Sequence, residues 1–599
     1  MKNIPNSELN RTSTDEFFLL EKHTIKQYGY LLDNMNFVIE NQLTRNDLWD
    51  LFIDQFIKHP DKINNWRGEF FGKMMRAGAL MYKVNKNEKL YKSLTYAAKK
   101  MLTSQDELGR FSTYSIEYEF KYWDMWCRKY VILGLIYYCD ICRSESLKRK
   151  IVNALKKHAN YIIKNVRTGK NKIGIFETSQ WWGALNSCSI LEAFMKLYNV
   201  TNEEKYLKFA TYLVNSGLCV DFNLVEESLN KTRFPYQFEH TKAYEMMSCI
   251  EGLAEYYRVT KNEKYKTAVI NFVDMVIESD VTVIGCCGTT HELFDHSKVT
   301  QTEETEQLLQ ETCVTVTWMK LLLQTLLLTG DAKYANEIER SVLNAMPGSL
   351  NTEHQHSIHA SQNLYKEEYT FDSYSPLVNT CRGRQIGGYQ DIEDRTSYGC
   401  CACIGSAGIA MPSLFGVLYT KDGIAINLYN KMKVSTEKIK IDMSANLYKS
   451  GKITIKIQSE KPTNIYLRMP EWSKTFKVSL NGINAGYHIK NGYAVINVKG
   501  DSTIKLLLDA SIKKKELNNK IYFVKGPFVL ARDSQFKENI REEVGDIKHF
   551  TASRINAPFK NNIAYQIKTE NKIFSLVDYA SAGKNWDSEN SLVSIFLKK

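Results

Sequence analysis

Hydrophobic positions recur with a helical period from about residue 20 to about residue 350. Apolar helices expected over 191–200 and 250–259 are each followed by a short polar turn and a second, amphipathic helix, over 206–214 and 265–277. The turns share a form: Asn87-Glu88-Lys89-Leu90-Tyr91, Asn202-Glu203-Glu204-Lys205-Tyr206, Asn262-Glu263-Lys264-Tyr265 and Asp331-Ala332-Lys333-Tyr334. Asn or Asp caps the new helix, and a nearby acidic residue suits its positive end. The unit is a helical hairpin, repeated. Long linkers rich in aromatic and polar residues, 111–121, 169–182 and 221–239, separate the hairpins and are where a binding cleft is expected. Such hairpins can stack openly as a solenoid or close into a ring, and the placing of the linkers favours a closed α/α toroid.

The period changes after about residue 417. Segments 424–429, 452–457, 464–469, 476–480, 493–498 and 502–508 read as strands, divided by turn signals such as Asn481-Gly482 and Asn491-Gly492. Short strands at this spacing predict an antiparallel β-sandwich of jelly-roll type. The expected domains are therefore residues 1–417, helical and carrying the expected cleft, and 418–599, the sandwich. Cysteine usage changes at the same place: all 13 lie at or before Cys403.

Bulk composition removes several function classes. The chain of 599 residues exceeds a single core, and its 44% hydrophobic and 24% charged content is that of a globular protein. A formal charge of +12 is spread over scattered lysines with no basic stripe, which argues against nucleic acid. No stretch reaches the roughly 20 unbroken apolar residues of a membrane span. Residues 321–328, the greasiest, read as a buried helix. A polar start without an apolar signal region predicts a cytoplasmic protein, where Cys127, Cys139, Cys142, Cys188, Cys219 and Cys249 are expected as buried thiols. A homodimer is compatible with this pattern.

Three segments carry residues that packing explains poorly. These are Thr290-His291-Glu292-Leu293-Phe294 after Gly285-Cys286-Cys287-Gly288, Gln310-Glu311-Thr312-Cys313-Val314, and Tyr398-Gly399-Cys400-Cys401-Ala402-Cys403-Ile404-Gly405. Glu311 and Cys313 diverge on a regular helix and share a metal only at a helix start or in an extended stretch. Adjacent Cys400 and Cys401 need a turn, for which Gly399 and Gly405 are suited. On spacing alone, a tetrahedral metal site and a set of buried thiols beside a glycine turn both remain open.

These motifs, in this order, resemble glycoside hydrolase family 127, the β-L-arabinofuranosidase family. Trp123-Asp124-Met125-Trp126-Cys127-Arg128-Lys129-Tyr130, His240-Thr241-Lys242-Ala243-Tyr244-Glu245-Met246 and Ser373-Tyr374-Ser375-Pro376-Leu377 resemble its other helical segments. Leu467-Arg468-Met469-Pro470-Glu471-Trp472 and Lys525-Gly526-Pro527 resemble its β-domain, so the resemblance spans nearly the whole chain. It implies an (α/α)6 toroid and a retaining glycosidase that uses Zn2+ and acts on a small oligosaccharide or glycoside. Cys400 is then the nucleophile, Glu311, Cys313 and Cys401 the other zinc ligands, and Glu292 the general acid/base. His240 and Tyr374 fall where the family contacts sugar.

Beside these, His291 reads as a structural histidine or a substrate contact, and Cys403 as a core thiol or a competing ligand. Trp123 and Trp181-Trp182 read as core or sugar platforms. Glu303, Glu304 and Glu306 read as a solvated loop, and His354, His356 and His359 as a polar loop rather than a second metal site. Cys286-Cys287 are expected in a tight turn. Two rival functions use the same sequence differently: a lyase or epimerase on an α/α toroid, which leaves the Cys-Cys pair idle, and a non-catalytic carbohydrate-binding protein with a structural zinc-thiolate site.

Overall fold

The computed structural model describes residues 4, 7, 11–20, 24–290, 292–305, 309–355, 370–383, 388–393, 396–586 and 591–599. Its N-terminal two thirds are helical. The main helices are α1 (Tyr30–Val38), α2 (Asn46–Lys58), α3 (Glu69–Asn85), α4 (Glu88–Thr103), α5 (Asp124–Ile141), α6 (Glu145–Asn165), α7 (Leu191–Thr201), α8 (Glu204–Asn215), α9 (Ala243–Thr260), α10 (Glu263–Ser279), α11 (Thr312–Thr329), α12 (Ala332–Arg340) and α13 (Cys400–Phe415). Helices α3, α5, α7, α9, α11 and α13 pack each on the next, and α13 returns to α3. The even-numbered helices α4, α6, α8, α10 and α12 lie against their odd-numbered predecessors.

Sequence explains this inner and outer arrangement. Inner α3, α5, α9, α11 and α13 are buried along nearly their whole length, whereas outer α4, α6 and α8 bury one stripe. Helix α11 is long and apolar enough to cross a membrane, but here it is enclosed by protein. Where α3 meets α5, a Cβ on Gly72 would lie 2.0 Å from the Tyr130 carbonyl oxygen, so only glycine permits this approach.

The hairpin turns follow one rule with one exception. Lys86, Asn202, Lys261 and Gly330 each end a helix in the left-handed conformation. The side chains of Asn87, Asn262 and Asp331 then accept from a backbone N–H of the next helix. Asn202 does not cap the helix ahead of it: it closes α7, and Glu203 occupies the N-cap of α8.

Two sheets follow, of 11 and 8 strands among the described residues. In the first, Lys452–Arg468 and Tyr493–Leu508 are single long antiparallel strands, each merging two of the expected short ones. A register shift between Ser459 and Thr463 carries the strand through the polar stretch between the two expected strands. Not every pairing is antiparallel, because Gly423–Ile426 runs parallel to Lys452–Arg468. Asn481-Gly482 and Asn491-Gly492 form the tight hairpins, with positive φ at both residues of each pair. Phe17–Phe18 and Thr24–Gln27, from the start of the chain, also pair into this sheet.

The sheets are bolted to the helices by buried polar contacts. Arg468, fully buried, pairs with Glu339 of α12, whose second oxygen accepts from Trp472 Nε1 at 2.8 Å. Asn344 donates to the Pro527 carbonyl at 3.0 Å. At the surface, Glu304, exposed as expected, pairs with Lys520 and with Lys598 at 2.5 Å, tying the helical part to the second sheet. Glu306 lies outside the described residues.

Candidate active site

Five of the six inner helices point their N-terminal ends at one cavity of about 230 Å³. Helix α3 contributes Glu69 and Lys73; α5 contributes Trp126, with Trp123 at its N-cap. Helix α9 contributes Tyr244 and Glu245, with Lys242 at its N-cap. Glu311 is the N-cap of α11, and Cys400 is the first residue of α13. Trp66, Glu292 and Gly388 complete the wall. The linkers expected to build the cleft supply none of these residues. Helix starts do it instead, and their unpaired N–H groups and dipoles favour negative charge at the centre.

At that centre Glu311, Cys313, Cys400 and Cys401 bring one ligand atom each to within 4.8 Å of one another, all buried. Cys313 Sγ donates to Cys400 Sγ at 3.6 Å, Cys400 and Cys401 sulfurs lie 3.9 Å apart, and Cys401 Sγ donates to Glu311 Oε1 at 3.4 Å. The helix-start condition set by the Glu311–Cys313 spacing is met. The Cys400–Cys401 pair is not in a turn: both residues open helix α13, Gly399 is its N-cap, and Gly405 lies inside it against Phe371. Leu309–Glu311 pairs with Tyr374–Pro376, which sets Tyr374 opposite Glu311.

The protonation pattern marks Cys400 as the exceptional thiol. Donation from Cys313 and Cys401, with Lys73 and Lys242 nearby, holds Cys400 well below the usual thiol range. Burial pushes Cys313 and Cys401 well above it. Burial and the neighbouring Glu292 and Cys400 charges also raise Glu311, whose Oε2 is buried without a hydrogen-bond partner. Four acidic groups so close cannot all ionise without a cation. Three soft sulfurs, one hard oxygen and an orphaned carboxylate lobe fit a single metal ion in place of those protons.

Glu292 approaches from a clamped loop. Its carbonyl accepts from Ala243 N at 2.9 Å, and Leu293 bridges to Lys242. Its backbone sits at φ 70°, a conformation rare for a glutamate. Tyr374 Oη donates to Glu292 Oε1 at 2.6 Å, and Lys242 Nζ donates to Oε2. Burial alone would lower Lys242, but Glu292, Glu245 and Glu311 hold it cationic.

The other expected residues divide. Tyr374 is buried on Glu292; His240 stands outside the cavity wall, 2.5 Å from Asp221 Oδ2. His291, His356 and His359 lie outside the described residues, so the expectations for them rest on sequence alone. Cys403 is buried and is not part of the four-residue cluster. Cys286 and Cys287 sit in a tight turn, with Cys286 Sγ donating to the Glu311 carbonyl at 3.6 Å. Trp123 lines the cavity and packs against the core, Trp182 lies 5.2 Å beneath Lys242 Nζ, and Trp181 is exposed.

Sequence reasoning missed Glu69, Lys73, Lys242, Glu245 and Trp66 as site residues. Lys73 Nζ bonds Glu69 Oε1 at 3.0 Å and Cys313 Sγ at 3.7 Å, and lies 4.6 Å from the Tyr244 ring centre. Glu69, whose other oxygen accepts from Trp126 Nε1, is pushed up to about 7 by burial, against the pull of Lys73. A carboxylate and an amine four apart on a helix with apolar residues all round was the available signal.

Comparison with known proteins agrees with this geometry. A family model described as β-L-arabinofuranosidase, GH127 catalytic domain, matches residues 12–405, and one described as GH127 middle domain matches 423–510. No curated protein matches the chain in sequence. Among solved structures, a GH127 β-L-arabinofuranosidase from Geobacillus stearothermophilus T6 is similar with TM-score 0.73 at 16% identity, over 96% of this chain and 99% of that one. A GH127 β-arabinofuranosidase is similar with TM-score 0.76 at 15% identity, over 98% of each chain. A third, a glycoside hydrolase, has TM-score 0.69 at 15% identity over the full length of both. With two thirds of its length matched by the catalytic-domain model, the chain belongs to the GH127 β-L-arabinofuranosidase family and is a glycoside hydrolase.

Proposed function

We propose that this enzyme is a retaining hydrolase of terminal β-L-arabinofuranosyl residues, with Cys400 as nucleophile, Glu292 as acid/base and zinc as its metal. One observation carries the reading. Tetrahedral zinc with Zn–S near 2.3 Å requires sulfurs about 3.8 Å apart, and a carboxylate oxygen about 3.6 Å from a sulfur. The corresponding separations are 3.6 and 3.9 Å, and 3.4 Å. Glu311, Cys313, Cys400 and Cys401 would hold the ion. Bound there, zinc would keep the sulfurs deprotonated near neutral pH and make Cys400 a better leaving group.

The chain's own residues supply the rest. Cys400 Sγ forms a bond to the anomeric carbon as the bond to the departing oxygen breaks, and Glu292 gives that oxygen its proton. Water then attacks the same carbon, loses a proton to Glu292, and the carbon–sulfur bond breaks to restore the thiolate. Tyr374 and Lys242 orient the Glu292 carboxylate through these steps. Trp66, Trp123 and Trp126 give the sugar apolar walls and help to exclude bulk water. Two inversions at one carbon give net retention. The test is proton NMR of the first-formed arabinose from an aryl β-L-arabinofuranoside: the β anomer is expected, and initial release of the α anomer would sink the double displacement.

Gly388 supplies a second, local test. Its carbonyl accepts from Cys400 N at 2.8 Å, its φ is 79°, and an added Cβ would meet Cys400 Sγ at 3.0 Å. Gly388→Ala should lower kcat/KM by about tenfold or more and cost roughly 1–2 kcal/mol of stability through the left-handed backbone. Steady-state kinetics with a thermal melt check both. Unchanged kinetics would mean that the sulfur is approached from another side.

The same reading extends to architecture and compartment. The closed succession of α3, α5, α7, α9, α11 and α13 with outer partners supports an (α/α)6 toroid, and the two sheets support a jelly-roll-like sandwich. Thirteen cysteines without a disulfide support a reducing, cytoplasmic setting.

A further inference from the structure

We propose that Glu245 is a specificity-determining residue, whose carboxylate accepts a hydroxyl hydrogen of the neutral pentofuranosyl unit held in the cavity. The inference rests on the glycosidase reading above and deepens it. Glu245 lies in the first turn of α9, only 2% exposed, and lines the cavity with Cys400 and Glu292. Its Oε2 is buried without a hydrogen-bond partner.

That orphan is unexplained by anything else in the site. Glu69, in the same cavity, has Lys73 on one oxygen and Trp126 on the other. Glu292 has Tyr374 and Lys242. The orphaned Oε2 of Glu311 belongs to the metal cluster. The two cavity ammoniums are committed elsewhere, Lys73 to Glu69 and Lys242 to Glu292. A buried carboxylate oxygen left unpaired is costly, and buried polar groups are satisfied as a rule. In a cavity open to substrate, the missing donor is a ligand group.

The chemistry of that donor follows from the surroundings. Burial raises Glu245 against the pull of Lys242, so its carboxylate gains from a donor, and a hydroxyl donating to it makes a charge-assisted bond, stronger than a neutral one. Such a site rejects an analogue lacking the hydroxyl more strongly than an apolar pocket rejects an added group. A pentofuranose presents hydroxyls in several directions, and Glu245 selects one of them.

The experiment compares kcat/KM of wild type, Glu245→Ala and Glu245→Gln on an aryl β-L-arabinofuranoside and its 2-, 3- and 5-deoxy analogues. Wild type should disfavour one analogue by about 10²-fold or more. In Glu245→Ala that discrimination should collapse to within about threefold while the other analogues keep their order, a pattern general structural damage would not give. Isosteric Glu245→Gln should show a partial collapse and serves if the alanine variant does not fold. An unchanged discrimination profile in both variants overturns the inference and leaves the glycosidase reading standing. Tryptophan fluorescence of wild type titrated with L-arabinose reports binding through Trp66, Trp123 and Trp126. No turnover of any analogue together with no fluorescence response overturns the functional reading, and this inference with it.

Discussion

Cys400→Ala is expected to lower kcat on an aryl β-L-arabinofuranoside by about 10⁴-fold or more, or at least about 5.5 kcal/mol of transition-state stabilisation. The magnitude follows from removing the atom that forms the bond to carbon; binding and acid assistance remain and set the residue of activity. Cys400 suits the role by position. It is the first residue of α13, only 7% exposed, and it lines the cavity, whereas Cys313 and Cys401 are fully buried behind it. It is also the sulfur held below the ordinary thiol range.

Loss of activity in this variant has a second explanation, since Cys400 is also one of four candidate ligands. Cys313→Ala separates the two. It removes a ligand and leaves Cys400, so added zinc should restore part of its turnover. Cys400→Ala should stay inactive at any zinc concentration, with metal content per chain measured in parallel. A Cys400→Ala enzyme within tenfold of wild type would end the nucleophile assignment, whatever its metal content.

The contrast between Cys400 and its lysine neighbours explains what the sequence disclosed. Thiols are scarce and clustered thiols scarcer, so Glu311-Thr312-Cys313 and Cys400-Cys401 stand out before any fold is known. Their divergence on a regular helix narrows the geometry to helix starts, where both occur. Lys73, Lys242 and Glu245 belong to the commonest surface types. Helical periodicity says which side of a helix is buried, but not that the N-terminal ends of five inner helices meet at a cavity. A Glu69–Lys73 pair four apart is ordinarily solvent-exposed; the apolar residues around it on α3 are its one local sign of burial, and the closed succession of helices turns it inward.

Architecture was legible to a similar depth. The period fixed the hairpins, and the Asn87, Asn262 and Asp331 caps lie where the turns predict them. Asn202 differs because asparagine serves equally as an N-cap and as a left-handed C-terminal residue, and the following Glu203 leaves it the second role. The long strands Lys452–Arg468 and Tyr493–Leu508 each read as two short ones, because the residues between 457 and 464 and between 498 and 502 break the alternation, where the pairing shows a register shift between Ser459 and Thr463. Local composition is the same for a bulge and a turn, and only pairing with a partner strand distinguishes them.

Glu292→Gln carries the second large effect: a fall in kcat of about 10²–10⁴-fold on substrates with poor leaving groups. The size depends on the leaving group, and this dependence is the diagnostic. A dinitrophenolate departs without a proton, so with that aglycone the first step should be nearly as fast in Glu292→Gln as in wild type. The second step still needs a base to take the proton from water, and glutamine offers none. The glycosyl unit should therefore remain on Cys400, visible as a burst of dinitrophenol and a mass gain of one pentosyl unit on the peptide containing Cys400. Azide, which needs no deprotonation, should release it as the glycosyl azide. Tyr374 Oη and Lys242 Nζ both donate to Glu292 and hold its carboxyl group at the cavity wall. Equal loss on all aglycones, without a burst and without azide rescue, would reduce Glu292 to a binding residue and leave the proton donor to be sought among Glu245 and Glu69, the other carboxyl groups of the cavity wall outside the metal cluster.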